Sequence, residues 1–174
     1  MKKLLWVDLE MSGLDDAKDV ILEAAVVVTD VQLTVLERLQ RVVFQSDETL
    51  AAMHPWCIEH HGESGLTEAC RKGEPLEKVE ADLLALVARH WPENELAVLA
   101  GNSVGTDRRF LVRWMPRLGA RLHYRVLDVS SFKIVFKERY GILFDKAESH
   151  RAVADIDESI AELGHYLKHI RVEP

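Results

Sequence analysis

Two carboxylates, Asp8 and Glu10, stand one residue apart at the end of the apolar run LLWV (residues 4–7). Residues i and i+2 of a β-strand point to the same face, roughly 6.5–7 Å apart, so both acids would share a face at the carboxyl end of a strand. Ligands of open α/β sheets bind at that end. Two buried like charges repel each other, and a divalent cation between them removes the repulsion. The spacing therefore predicts a metal site.

Three more residues have positions suited to the same site. Asp107 follows the short apolar run at 96–100, Asp155 lies at the start of the last predicted helix, and His150 precedes that helix. Taken singly, the acids also suit helix N-termini, and the histidine suits a surface. Taken together, several carboxylates can hold two metal ions about 4 Å apart, and a neutral histidine can take a proton from water. The set indicates metal-dependent hydrolysis.

The order of the predicted elements indicates an α/β fold. Apolar and β-branched stretches predict strands at residues 4–9, 21–30, 34–45, 96–100 and 125–129. Apolar spacing predicts helices at 75–91 and 151–170, with short helices in 47–72. Thr106 would cap a helix at 107–114, and Ser130 would cap another that Gly141 ends. Three strands followed by alternating helix and strand predict a mixed sheet, with an antiparallel hairpin beside parallel strands and helices on both faces. We expect one domain spanning residues 1–174.

The composition limits the class of partner. The chain has 174 residues, 48% of them hydrophobic, and a formal net charge of −7. This charge argues against binding long duplex nucleic acid or an anionic membrane, although a metal or a local positive patch could still hold a small anion. The two cysteines form no CxxC pair, no leader is recognised, and no segment approaches the ~18 apolar residues that would span a bilayer. We therefore expect a cytoplasmic protein that does not bind membranes.

Two other site types fit the sequence poorly. The segment HPWCIEHH and a later cysteine supply soft ligands, but their spacing matches no regular zinc module; these residues are His54, Cys57, His60, His61 and Cys70. A nucleotide switch would need GxxxxGK[ST] or GxGxxG, and GNSVG is neither.

The segments VDLEMSGLD, GNSVGTDRRFL and H-x4-D occur in the order found in the DEDDh 3′–5′ exonucleases, and the chain resembles that family, which has a ribonuclease H-like fold. Further segments, QSDETLAAM, HGESGL, HYRVLDVSS and AxxDIxESIAEL, are similar to the oligoribonucleases within it, which degrade the shortest RNA fragments. The resemblance covers nearly the whole chain. The short D-x-E and H-x4-D elements are specific only in combination, whereas the longer segments are specific together.

The resemblance implies a role for each member of the acidic set. Asp8, Glu10 and Asp155 would bind one Mg²⁺ or Mn²⁺ ion. Asp8 would bridge to a second ion, which Asp107 would hold directly or through water. His150 would activate the attacking water.

The resemblance also implies a substrate site for a dinucleotide. An arginine, several hydroxyl groups and His61 would cap the 5′ phosphate, since a guanidinium offers a bidentate partner. A leucine would wedge between the bases and a tryptophan would stack on them, and stacking tolerates any base. Without the resemblance, the tryptophan would be interpreted as a core residue. Family members usually have threonine in place of Ser131. The implied residues are Leu14, Trp56, His61, Ser103, Tyr124, Arg125, Ser130 and Ser131.

We therefore predict a 3′–5′ exoribonuclease for single-stranded RNA of two to seven nucleotides, dinucleotides above all, that releases nucleoside 5′-monophosphates. The resemblance also implies a homodimer, in which a loop carrying Tyr124 and Arg125 reaches the neighbouring site. One alternative is a DEDDh exonuclease for longer DNA or RNA, but a capped site could not thread a long strand. Another is a non-catalytic nucleic-acid-binding module, against which the intact acidic set argues.

Overall fold

A five-stranded mixed sheet forms the centre of the computed structural model, which describes residues 3–145 and 152–171. The strands are β1 (Lys3–Met11), β2 (Ile21–Asp30), β3 (Val35–Val42), β4 (Ala97–Gly101) and β5 (Leu122–Asp128). Their order across the sheet is β3-β2-β1-β4-β5. The first three strands are antiparallel neighbours, whereas β4 is parallel to β1 and β5 is parallel to β4. The predicted mixed sheet is confirmed.

Helices cover both faces of this sheet. They are α1 (Asp47–Ala51), α2 (Pro55–Glu63), α3 (Leu66–Cys70), α4 (Leu76–His90), α5 (Gly105–Trp114), α6 (Pro116–Gly119), α7 (Val129–Tyr140) and α8 (Ala152–Leu167). Apolar residues of α4, α5 and α6 pack against one face, and those of α7 and α8 pack against the other. No helix within residues 3–145 and 152–171 is long and apolar enough to cross a membrane.

Strand β1 is the central strand, which explains its apolar run. Leu5 and Val7 belong to the core on the α4–α5 side, whereas Leu4 and Trp6 belong to the core on the α7–α8 side. Because side chains alternate along a strand, Asp8 shares the face of Leu4 and Trp6. The strand therefore directs its acids towards the helices of that second layer.

Strand β5 differs from its predicted bounds. It begins at Leu122, which pairs with Ala97 of β4, whereas the sequence predicted a start at residue 125. The predicted projecting loop is therefore wrong: Tyr124 and Arg125 lie within an edge strand. The pairing with β4 is irregular there, because the register passes from Ala97–Leu122 to Leu99–Val126 and skips Tyr124 and Arg125.

The helix caps also differ in part. Asp128, rather than Ser130, is the N-cap of α7, and its side chain accepts a hydrogen bond from the Ser130 N–H. Helix α5 begins without a side-chain cap, so Thr106 is not its cap. Gly141 ends α7 at a φ of 66°, as predicted, because glycine adopts this left-handed conformation at little cost.

Candidate active site

Three carboxylates converge where the carboxyl end of β1 meets the first turn of α8. Asp8 and Glu10 come from the strand, and Asp155 comes from the helix; each offers an oxygen, and these oxygens all lie within 4.8 Å of one another. All three side chains are partly buried. Such a set of hard oxygen donors suits Mg²⁺ or Mn²⁺.

The electrostatics of this cluster also fit a cation. The pKa of Asp8 is raised to about 9, first by burial and then by the negative charges of Asp107, Glu10, Asp155 and Glu23. Several ionised carboxylates this close together oppose each other's ionisation, and a divalent ion would reverse that preference. The residues therefore fit the metal chemistry of the exonuclease family.

Asp107 is tied directly to the strand that carries Asp8. It lies in the first turn of α5, and its Oδ1 accepts a hydrogen bond from the Leu9 N–H at 3.0 Å. Burial raises the pKa of Asp107 to about 7, although this hydrogen bond lowers it. Asp107 is thus a neighbour of the three converging acids, in a position suited to a second ion. His150 lies outside the described residues, so its place in the site stays a prediction.

Glu23 is a fifth carboxylate at this site and is not among the residues predicted from the sequence. It pairs directly across from Glu10 in the antiparallel β1–β2 register and is fully buried. Its Oε1 accepts a hydrogen bond from Gln40 Nε2 at 2.7 Å. The signal available in the sequence is one glutamate within the otherwise apolar run ILEAAVVV.

A cavity of about 560 Å³ opens beside Glu10. Its lining residues are Glu10, Met11, Gly13, Leu14, His54, Trp56, Cys57 and His61. The Leu14 and Trp56 side chains are 74% and 51% exposed, so the tryptophan is not a core residue. The His60 ring stacks on that indole, with 3.8 Å between the ring centroids. The cavity thus offers apolar surfaces next to the acids.

His61 forms part of the cavity wall. It is buried, and its Nε2 lies 3.0 Å from the Met11 carbonyl oxygen, which requires Nε2 to carry the proton. Burial lowers the pKa of His61, so the neutral ring is favoured. The side chain that the sequence predicts as a phosphate ligand is therefore fixed in orientation by the strand that carries Glu10.

The structure brings Ser103 and Ser130 together. The Ser103 N–H donates to Ser130 Oγ at 2.9 Å, and the two hydroxyl oxygens lie 3.2 Å apart. Asp128 Oδ1 accepts from the N–H groups of both serines, at 3.0 and 2.9 Å. Ser103 has a φ of 51°, a conformation rare for residues other than glycine, and these contacts hold it there.

Arg125 and Ser131 do not line the cavity beside Glu10. They line a second cavity of about 820 Å³ along the edge of β5, and this cavity shares no lining residue with the one beside Glu10. Tyr124 is 69% exposed, and the Arg125 guanidinium lies 5.1 Å from the centroid of its ring. Arg125 and Ser131 therefore line a different cavity from Glu10, Leu14, Trp56 and His61.

The alternative zinc site finds no support in the structure. Among residues 3–145 and 152–171, Asp8, Glu10 and Asp155 form the only group of three or more histidine, cysteine or acidic side chains with ligand atoms close enough for one ion. Cys57 and Cys70 instead belong to a small apolar cluster under α2 and α3.

Comparison with known proteins places the chain in a family. The family model RNase_T, described as Exonuclease, matches residues 5–163. The chain is 48% identical to a probable oligoribonuclease of Dictyostelium discoideum, over 95% of this chain and 88% of that protein. It is 45% identical to an oligoribonuclease of Ectopseudomonas mendocina, over 95% and 94%. A mitochondrial oligoribonuclease of Homo sapiens is 44% identical, over 97% and 73%.

Solved structures support the same fold. A product-bound exonuclease I superposes with a TM-score of 0.71 at 18% identity, over 97% of this chain and 43% of that one. Exonuclease I from Methylocaldum szegediense gives a TM-score of 0.75 at 15% identity, over 98% and 41%. The chain thus spans less than half the length of these exonucleases, and at such low identity the likeness concerns the fold alone. From the family model and the close relatives together, the chain belongs to the oligoribonuclease family of exonucleases.

Proposed function

We propose that this protein is a metal-dependent 3′–5′ exoribonuclease that degrades very short single-stranded RNA, dinucleotides above all, to nucleoside 5′-monophosphates. The observation that carries the proposal is the convergence of Asp8, Glu10 and Asp155 beside a cavity lined by Leu14 and Trp56. Carboxylates there can hold metal at a phosphodiester while apolar surfaces hold the bases. The relatives named oligoribonuclease support the same substrate class.

The residues divide the chemistry between them. Asp8, Glu10 and Asp155 would hold one Mg²⁺ or Mn²⁺, and Asp8 with Asp107 would hold a second. When bound, the ions would neutralise the phosphate, lower the pKa of water and stabilise the leaving 3′ oxygen. His150, in its neutral form, would take the proton of the water that attacks phosphorus. The P–O3′ bond would break, and the leaving 3′ oxygen would take a proton from solvent water.

The substrate contacts follow the two ends of a dinucleotide. Leu14 and Trp56 would wedge and stack the bases without selecting among them. The hydroxyl pair of Ser103 and Ser130 would bind the 5′ phosphate together with Ser131. His61 would add a donor at Nδ1 once its ring is protonated, since its Nε2–H is bonded to the Met11 carbonyl.

We also propose a single exonuclease domain that acts as a homodimer. Tyr124 and Arg125 lie in β5, at the edge of the sheet. Arg125 lines the cavity along this edge, and Tyr124 is exposed. In a symmetric dimer, Arg125 would bind the 5′ phosphate in the site of the neighbouring subunit. Exposed tyrosine and arginine side chains are common at such interfaces.

The test is cleavage of 5′-labelled RNAs of two to seven nucleotides, with and without Mg²⁺, each length followed separately. We expect the dinucleotide to be cleaved fastest and excess chelator to stop all cleavage. Equal rates for two and seven nucleotides would favour an exonuclease for longer strands. Binding without cleavage at any metal concentration would favour a non-catalytic module.

A further inference from the structure

Asn102 connects two parts of the site that are distant in sequence. It lies between β4 and α5, and its Nδ2 donates to Ser159 Oγ at 2.9 Å and to Glu162 Oε2 at 3.0 Å, both in α8. Its Oδ1 accepts a hydrogen bond from Ser130 Oγ at 3.2 Å, in the first turn of α7. One amide group therefore ties the helix that carries Asp155 to a hydroxyl proposed for the 5′ phosphate.

The orientation of this amide follows from its partners. The Glu162 carboxylate accepts, so the amide nitrogen of Asn102 must face it and the amide oxygen must face Ser130. The hydroxyl proton of Ser130 is thereby directed to Asn102. That oxygen then accepts the Ser103 N–H at 2.9 Å, and the Ser103 hydroxyl, 3.2 Å away, can turn its proton from Ser130 to the 5′ phosphate. Asn102 thus sets the hydrogen-bond direction of the whole serine pair.

The other end of the contact is fixed in the core. Glu162 is fully buried, and its Oε1 accepts from the hydroxyl of Tyr166, at 3.0 Å, a residue that is 1% exposed. Ser159 Oγ donates to the backbone oxygen of Asp155 at 2.8 Å. Ser159 therefore contacts both Asn102 and the backbone of Asp155, the residue with the metal-binding carboxylate. Fully satisfied buried networks of this kind hold a single geometry.

We propose that Asn102 is a positioning residue that sets the separation between the hydroxyl pair Ser103–Ser130 and the metal-binding carboxylate of Asp155. This inference rests on the proposed function, in which those hydroxyls bind the 5′ phosphate. A dinucleotide has a fixed span between its 5′ phosphate and its scissile phosphodiester. A rigid connection between the two binding points favours that span over longer ones, and its loss removes the advantage.

The test is the Asn102→Ala variant, assayed on three substrates: a 5′-phosphorylated dinucleotide, the same dinucleotide without its 5′ phosphate, and a 5′-phosphorylated tetranucleotide. We expect the kcat/KM preference for the 5′ phosphate to fall about fivefold or more, as the loss of a hydrogen bond to a binding group predicts. The preference for the dinucleotide over the tetranucleotide should fall with it.

The control is Thr29→Val, which removes a buried hydroxyl that accepts from Trp6 Nε1 at 2.9 Å and makes no contact with the Asn102 network. It should lower thermal stability and leave both preferences unchanged. If Asn102→Ala fails to fold because the buried Glu162 carboxylate loses one of its donors, the double variant Asn102→Ala/Glu162→Gln removes the buried charge and permits the same assay.

The outcomes separate this inference from the function on which it rests. A wild-type protein without any preference for the 5′ phosphate contradicts the proposed function. A wild-type preference that survives in the folded Asn102 variant overturns the positioning role, since a purely structural asparagine would change stability and not selectivity.

Discussion

Asp8 combines a functional requirement with a structural cost. Burial and four neighbouring acids raise its pKa to about 9, so the metal-free fold favours the protonated carboxyl. A metal ligand must be deprotonated, and metal binding therefore releases the proton. The ionised carboxyl that a cation needs is disfavoured when no cation is bound, so stability and metal binding should be linked at this residue.

The first prediction concerns that linkage. Asp8 and Asp107 have folded pKa values of about 9 and about 7, above their ordinary value of 3.8. Their contribution to the stability of the metal-free protein is thus fully present below about pH 4 and is lost as the pH rises towards about 9. In chelator, thermal unfolding should move to lower temperature as the pH rises over this window. Asp8→Asn should be more stable than wild type at pH 8 and nearly inactive.

The measurement is thermal unfolding across this pH range, with chelator and then with Mg²⁺, beside single-turnover hydrolysis. Glu93→Gln is the matched control, since it removes the same charge from an exposed position. It should leave both the pH dependence and the activity as they are. Equal melting temperatures for wild type and Asp8→Asn at pH 8 in chelator would show that the acids do not repel each other in the folded protein.

At this scale the sequence reveals the acids and not their supports. Asp8 and Glu10 can be predicted to share a face because the period of a strand is two. Glu23 and Asn102 follow from no local period: the first depends on the β1–β2 register, and the second depends on contacts with α7 and α8. Such residues become visible only when distant segments are brought together.

Among the elements, the contact between β1 and β4 holds the strand that carries the acids. Gly101 ends β4, and a Cβ added there would lie 2.9 Å from the Val7 backbone oxygen, next to Asp8. Glycine therefore permits the close approach of the two strands at the site.

Gly101→Ala should force these backbones apart, with a cost of about 1–3 kcal/mol in the free energy of unfolding. Because the shift begins beside Asp8, hydrolysis by the folded variant should also fall. Gly73→Ala is the control: a Cβ there would lie 2.6 Å from the Val43 and Phe44 backbone, and neither residue belongs to the acidic cluster. Urea unfolding and activity under folding conditions measure the two effects. Full activity of folded Gly101→Ala would show that the strand tolerates the displacement.

Some element boundaries can be predicted from the residues of the element itself, whereas others depend on contacts with distant segments. The β2 strand has its predicted bounds, 21–30, because an uninterrupted β-branched run is a local signal. Strand β5 begins earlier than its local pattern indicates because Leu122 pairs with Ala97 of β4, while the polar and aromatic residues after it lie at an irregularity of the register. Asp128 caps α7 although Ser130 is an equally good cap by type, since strand pairing decides where the helix begins.

At the scale of the whole molecule, the arginine that the family resemblance assigns to the site lines a different cavity from Glu10. Arg125 lines a cavity on the β5 edge, whereas Glu10 and Trp56 line the other cavity. Strand β5 and helix α7 also expose apolar residues: Tyr124, Val126, Ile134, Val135 and Tyr140. An unpaired edge strand with such a surface invites a partner. We therefore expect a symmetric dimer with about twice the chain mass in light scattering.

The last prediction tests whether the two sites share residues. Asp155→Asn and Arg125→Ala should each be nearly inactive alone. In a 1:1 mixture with random subunit exchange, half of the dimers are mixed, and each mixed dimer has one site with its own Asp155 and the neighbour's Arg125. About a quarter of wild-type activity should return. Mixing Asp155→Asn with Asp8→Asn is the control, because both changes affect acids of the chain's own site and a shared arginine cannot complete either site. No recovery in the first mixture, or full activity in a monomer, would assign Arg125 to the site of its own chain, and the cavity on the β5 edge would then need another explanation.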